Sequence, residues 1–223
     1  MIKKAFTLAE VLITLAILGI IAALTLPNLQ YNIQKQAMEK QTLKFYSQMY
    51  NAFAVNKAEN ATDSIYVEDT ASFIRKNFNV AQICENRTDC FPEKYTTVNG
   101  SQTIRTNDIL NSAQNSTYAL ADGTVFQLKD IDSGSSGITV VFDVNGKKSP
   151  NKLGYDLWIF TVFPDGSIDD ANITPELRLD GTTTELKNKL ASNFTECKAG
   201  NGEMLAYGNC FGHFMRNKFK FDY

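Results

Sequence analysis

The chain has 223 residues, with 22 basic and 24 acidic side chains and a formal charge of −2 at pH 7. That length suits one domain with an appendage, or at most two small domains, and the mildly acidic balance lacks the basic face that phosphate binding requires, so nucleic acid is not an expected partner. Beyond the first 27 residues no apolar run is long enough to cross a bilayer.

The chain opens "MIKKAFTLAEVLITLAILGIIAALTLP", two lysines followed by a long apolar run with a lone carboxylate, Glu10, near its head. A charge at the centre of a spanning helix costs roughly 2.5 to 3.5 kcal/mol on insertion scales, so an intramembrane carboxylate calls for a partner. A cleaved secretory signal would have an apolar stretch of about 7 to 15 residues and a small-residue cleavage site. Val11 to Leu26 is longer than that and runs on into "LPNLQYNIQKQ" without such a site. A plain signal anchor fits the length, since Phe6 to Pro27 spans roughly 33 Å at about 1.5 Å per residue. It leaves Glu10 unexplained.

The order Lys3-Lys4-Ala5, then Phe6-Thr7-Leu8-Ala9-Glu10 and a long apolar helix, resembles the prepilin leader of type IV pilins and type II secretion pseudopilins. The resemblance implies that a membrane-bound prepilin peptidase cuts between Ala5 and Phe6 and methylates the new amine. The family usually carries Gly before the cut; here the residue is Ala5. It also implies a partner for Glu10, the N-terminal amine of a neighbouring subunit. The physics agrees, because a free α-amine ordinarily titrates near 7.7 to 8.0 and is largely cationic at neutral pH, and pairing offsets part of the cost of holding each charge at low dielectric.

Gly19 and Pro27 extend the same argument. Proline inside a helix removes one backbone bond and crowds the carbonyl four residues back, here that of Ala23. Gly19 adds backbone freedom earlier in the span. In relatives this section of helix can unwind, which implies lengthening between Gly19 and Pro27 on assembly; a static bend at Pro27 is the other outcome. The expected organisation is a leader over 1–5, a long helix over 6–58 whose part 6–27 crosses the membrane or lines a filament core, and a head domain over 59–223.

After Pro27, Leu29, Ile33 and Ala37 form one stripe, and Leu43, Tyr46, Tyr50 and Phe53 continue it toward the head, where they are expected as core. A short helix is predicted from Asp69 to Phe78, capped by Asp69 or Thr70, with Phe73, Ile74 and Phe78 facing inward. A loop around Cys84 and Cys90 follows, with a turn at Asn99 to Ser101. Two strand-like runs in "TYALADGTVFQLKD" meet at Asp122-Gly123, which suits a two-residue hairpin because both residues tolerate positive φ. Ile138 to Val144 and Asp156 to Phe163 supply two further strands, with turns at "GSSG" and Pro164-Asp165-Gly166. Near the C-terminus, Thr182 and Glu185 suit a capping box for a helix burying Leu186, Leu190 and Phe194, and "CFGHFMRNKFKFDY" reads as a closing strand or extended segment.

These elements give an α+β domain in which the long helix packs on a roughly four-stranded antiparallel sheet, as the pilin resemblance also implies. Four cysteines beside a membrane-targeting N-terminus suggest disulfides formed outside the cytoplasm, and of three connectivities the local one, Cys84 with Cys90 and Cys197 with Cys210, is favoured. Structural zinc is disfavoured, since neither pair has tight C-x-x-C spacing and His213 is the sole histidine.

Asp143, Asn145 and Asp156 offer hard oxygen ligands of the kind calcium takes, and the resemblance to major pseudopilins, which carry calcium in a comparable loop, adds to that candidate. No other cofactor is expected. Asp165, Asp169 and Asp170 read as solvated loop carboxylates, and His213 as a packing or surface residue. No motif places a nucleophile, base or phosphate loop, so no enzyme is expected. The implied function is a structural subunit, a pseudopilin or minor pilin, that assembles with homologous subunits into a helical filament through an inner-membrane assembly platform. Lys3 and Lys4 would lie on the cytoplasmic side and the head outside. The alternative is an anchored extracytoplasmic binding module or adhesin whose helix is only a tether.

Overall fold

The computed structural model describes residues 7–60, 65, 67, 69–110, 116–129, 137–171, 173–179, 183–199 and 210–223. The predicted leader residues Lys3, Lys4, Ala5 and Phe6, the cap Thr182 and most of the "GSSG" loop lie outside them. The chain divides into two units, Met1–Ala37 and Met38–Tyr223.

Helix α1, Leu8–Asn60, is one unbroken helix that contributes to both units. In the first unit every large apolar side chain from Leu8 to Ile33 stays between 44% and 81% exposed. So contiguous an apolar surface marks a membrane or partner contact. The helix runs on through Pro27.

In the second unit six antiparallel strands form one sheet in the order β1-β4-β5-β6-β7-β8. They are β1 Val80–Cys84, β4 Thr117–Leu120, β5 Val125–Lys129, β6 Ile138–Asp143, β7 Leu157–Val162 and β8 Ile168–Asp170. The four predicted strands are its centre, and two edge strands join them. A separate two-stranded sheet pairs β2, Lys94–Thr96, with β3, Thr103–Arg105.

Period-two alternation sends successive side chains of the central strands to opposite faces. Phe126, Leu128, Val140, Phe142, Trp158, Phe160 and Val162 face a core shared with α1, whereas Val125, Val141, Leu157 and Ile159 face a second core built with Phe91, Tyr95, Ile104 and Leu153. Because both faces are covered, β6 and β7 are buried almost throughout, which is why they read as continuous apolar runs. The covering layer of β2, β3, α3 Arg87–Cys90 and α4 Thr106–Ile109 has elements of only three or four residues.

The face that α1 turns to the sheet shares Phe53 with the predicted stripe and otherwise differs from it. Met38, Thr42, Phe45, Met49, Ala52 and Phe53 are buried, while Leu43 and Tyr50 remain 43% and 46% exposed. Phe45 stacks on Phe142 with centroids 4.4 Å apart. Tyr46 lies at the flank against Phe219, and Leu29, Ile33 and Ala37 are exposed. Two apolar stripes run side by side here, and the larger buried area chooses the one with Phe45 and Met49.

Helix α2, Thr70–Asn77, starts where Asp69 accepts the Ala71 amide hydrogen, and buries Phe73 and Ile74. The Asp122-Gly123 turn differs from the two-residue hairpin expected there. At Asp122 only Gly123 takes positive φ, +91°, the Leu120 carbonyl accepts from the Gly123 amide, and Leu120 donates to Thr124. The same pattern recurs from Phe163 to Ser167 around Gly166, φ +90°. Each is a three-residue loop closed by a left-handed glycine.

Helices α5 Pro175–Leu179, α6 Thr183–Ala199 and α7 Phe211–Arg216 complete the unit. On α6 the buried residues are Asn193 and Cys197, with Leu186, Leu190 and Phe194 only partly covered. The C-terminal segment is helical over α7 rather than a strand. Phe211, Phe214 and Met215 follow helical spacing, and the first two are fully buried. Past α7 the chain turns through 217–219, with positive φ at Lys218 and Phe219, and the end is tied to α1, with the Phe221 amide donating to Glu39 Oε1 at 3.0 Å and Lys220 Nζ to Glu39 Oε2 at 2.6 Å.

Candidate functional site

Glu10 is the only charged residue between Phe6 and Lys35, and it sits in the first turn of α1. Its Oε2 accepts the Thr7 amide hydrogen at 2.8 Å and the Thr7 hydroxyl at 2.9 Å, while the Glu10 amide donates to Thr7 Oγ1 at 3.3 Å. This reciprocal arrangement is a capping box, which satisfies donors that the first helical turn otherwise leaves open. The pattern T-x-x-E is legible in the sequence, where the leader motif overlaps it. The carboxylate is exposed and has no cationic partner among the described residues. Oε1 remains open to one.

Further along, Thr14 Oγ1 donates to the Val11 carbonyl at 2.9 Å, and Thr25 Oγ1 donates to the Ile21 carbonyl at 2.9 Å. Hydroxyls bonded back to the preceding turn remain satisfied in hydrocarbon. Thr25 stands two residues before Pro27, whose missing N–H leaves the Ala23 carbonyl without its usual helical partner. A side chain at Gly19 would meet nothing within 4 Å. A window of α1 reaches a mean hydropathy of 2.4 with none of it buried, so by length and composition this helix can cross a membrane.

The head places the other predicted residues. Cys84 is joined to Cys90 and Cys197 to Cys210, with Cα separations of 6.2 Å and 5.5 Å. The second bridge links α6 to the start of α7. His213 stacks flat on Phe194 and lies 3.0 Å from Asp222.

Asp143 and Asp156 are both fully buried. Asp143 accepts the Tyr95 hydroxyl at 2.6 Å and the Asn145 amide at 2.9 Å. Asp156 accepts the Asn151 amide at 2.7 Å and the Lys152 amide at 2.6 Å. Burial above all, with Asp156 nearby, pushes the Asp143 carboxyl well above the usual range, and burial lifts Asp156 to about 6.

Of the three residues expected to ligate calcium, both aspartates are engaged by the protein, while Asn145 keeps its buried Oδ1 without a hydrogen-bond partner among the described residues. Calcium takes six to eight oxygens, whereas each of these four carboxylate oxygens accepts a hydrogen from the protein. Among the described residues no group of three or more acidic, histidine or cysteine side chains could hold a metal. The pair instead pins the 145–152 loop to the sheet.

Asp169 and Asp170, expected as solvated, are fully buried on β8. Asp169 is gripped by Arg216 through two hydrogen bonds of 2.8 and 2.6 Å, with Arg178 at 3.6 Å. Asp165 does what a loop carboxylate does, accepting the Ser167 amide at 2.9 Å.

Residues 1–26 match the family model described as the prokaryotic N-terminal methylation motif. No curated protein and no solved structure matches the chain. The chain thus carries the prepilin signature of type IV pilin-like proteins, and its long N-terminal helix and antiparallel α+β head are consistent with the pilin fold.

Proposed function

We propose that this protein is a structural subunit of a type IV pilin-like filament, either a type II secretion pseudopilus or a type IV pilus in which it is a minor component. The observation that carries the proposal is the match of residues 1–26 to the methylation motif, with Glu10 as the one charge at the head of an otherwise uncharged span. In this reading a prepilin peptidase cuts between Ala5 and Phe6 and methylates Phe6, and the mature helix stays in the bacterial inner membrane with the head outside. An assembly platform then moves the helix into a filament of homologous subunits, in the periplasm or on the cell surface.

Glu10 is the device that sets the register. The capping box engages Oε2 twice and leaves Oε1 open, so the carboxylate can cap its own helix and still receive a neighbour's α-amine. In hydrocarbon an unpaired carboxylate and an unpaired ammonium are each costly, and the pair is less so. Moving the apolar face from lipid to other helices changes hydrophobic free energy little, because lipid tails are as apolar as leucine. Polar pairing therefore decides the position. Gly19 and Pro27, between which Thr25 already bonds back to the preceding turn, supply the segment that can lengthen during assembly.

The test is Glu10→Ala in the native host. The expected result is normal membrane insertion with loss of filament incorporation. Incorporation at the wild-type level would instead make the helix a tether and the head an anchored binding module or adhesin.

A further inference from the structure

We propose that Asp170 is a proton-operated latch that fastens α6 and α7, the two helices joined by the Cys197–Cys210 bridge, to the β8 edge of the sheet. The latch is built in three parts. Asp170 is fully buried and pairs across the sheet with Phe160 of β7. The Gly212 amide at the start of α7 donates a short hydrogen bond to its Oδ1. From α6, the fully buried Asn193 reaches Oδ2 with its Nδ2 at 3.5 Å, and Asn193 Oδ1 finds no partner among the described residues.

Gly212 is at this position because nothing larger fits. A Cβ there would lie 2.8 Å from Asp170 Oδ2, 2.9 Å from its Cγ and 2.9 Å from Leu190 Cδ2. The backbone of α7 is thus held in direct contact with the carboxyl group, and the state of that group decides how well α7 docks.

The charged neighbours do not neutralise Asp170. Arg216 of α7 gives its Nη hydrogens to Asp169 and to the Gly212 carbonyl, and Arg178 of α5 faces Asp169. Asp169, adjacent on β8, is itself a negative charge, and the Tyr223 ring of the tail is close enough to sense Asp170. A buried carboxylate without an ion pair costs several kcal/mol and takes up a proton instead. In accord with this, burial first and Asp169 second push Asp170 up to about 7, against the pull of the Gly212 and Asn193 hydrogen bonds and of the nearby Arg216 charge.

The sign follows from linkage. A carboxyl whose pKa is higher in the folded state than in the unfolded chain contributes stability that is complete below the unfolded value and is lost as pH rises through the folded one. Docking of α6 and α7 therefore tightens on acidification from about 8 toward 5 and loosens above 7. Neither the filament reading nor Glu10 is needed for this.

The experiment is hydrogen–deuterium exchange of the full-length protein in detergent micelles between pH 5.5 and 8, corrected for intrinsic exchange and compared with Asp170→Asn. Protection of 211–216 should be roughly tenfold or more greater at pH 5.5 in the wild type, and in Asp170→Asn it should hold near the acid level at both pH values. Peptides of β5 serve as the internal reference. His213 on α7 faces Asp222 and Phe194, and a pH response retained in Asp170→Asn overturns the proposal. Should that variant fail to fold, the carboxyl carbon of Asp170 in the wild type is followed by NMR. A midpoint near 7 supports the latch, and one below 5 overturns it.

Discussion

Arg216 grips the buried carboxylate of Asp169 through two parallel hydrogen bonds, Nη1 to Oδ1 at 2.8 Å and Nη2 to Oδ2 at 2.6 Å. Removing one partner of a buried pair leaves the other charge stranded, which costs about 3 to 5 kcal/mol. Arg178 remains 3.6 Å away and Arg216 is itself partly exposed, so Arg216→Ala should fall at or somewhat below the lower end of that range, about 2 to 3 kcal/mol. Chemical denaturation of the full-length protein measures it, and a loss under about 0.5 kcal/mol, the range of an ordinary surface substitution, would show that the pair does not hold α7 to the sheet.

The face of α1 that packs on the sheet has its own test. Phe45 is 1% exposed and meets Phe78, Phe126 and Phe142, whereas Tyr50 is 46% exposed. Phe45→Ala should cost about 3 to 5 kcal/mol, and Tyr50→Ala less than about 1 kcal/mol. The opposite ranking would restore the stripe of Leu43, Tyr46 and Tyr50 as the core face.

These two sites show what was and was not legible in the sequence. The central strands could be read because apolar runs such as "ITVVF" and "LWIFTV" end at glycine turns whose chemistry is local. The edge strands could not. β1, "VAQIC", leaves Ala81, Gln82 and Ile83 exposed, and β8 is "IDD", whose carboxylates are buried only because Arg216, 47 residues on, and Gly212, 42 residues on, reach them. On α1 the expected core face holds at Phe53 and fails at Leu43 and Tyr50, because periodicity cannot choose between adjacent stripes of equal spacing. The aromatic tail favoured a strand by composition, although Phe211, Phe214 and Met215 already carried helical spacing. At the N-terminus the motif was legible because it is contiguous, and Glu10 stood out as a charge where none is cheap.

The Asp143 and Asp156 pair predicts a pH dependence of the head as a whole. Both carboxyls hold protons more readily in the fold than in the unfolded chain, Asp156 up to about 6. Their stabilising contribution is complete below the unfolded carboxylate value near 3.9 and is lost as pH rises through about 6 and beyond. Thermal unfolding should therefore occur at a higher temperature at pH 5 than at pH 8. Asp143→Asn, which keeps an acceptor for Tyr95 and removes the repulsion, should flatten that difference. A wild-type protein more stable at pH 8 than at pH 5 contradicts this account.

Gly212 offers a steric test that leaves every charge in place. Because a Cβ at this position would lie under 3.0 Å from both Asp170 and Leu190, Gly212→Ala should cost about 1 to 3 kcal/mol through overpacking. Unchanged stability would mean that α7 is free to withdraw from β8.

The central claim is that the chain is a processed pilin-like subunit, and mass spectrometry of the N-terminal peptide from protein made in its native host tests it most directly. The account predicts a mature chain beginning at N-methylated Phe6. A chain still beginning at Met1, or one beginning beyond Pro27 and so lacking Glu10, would contradict it.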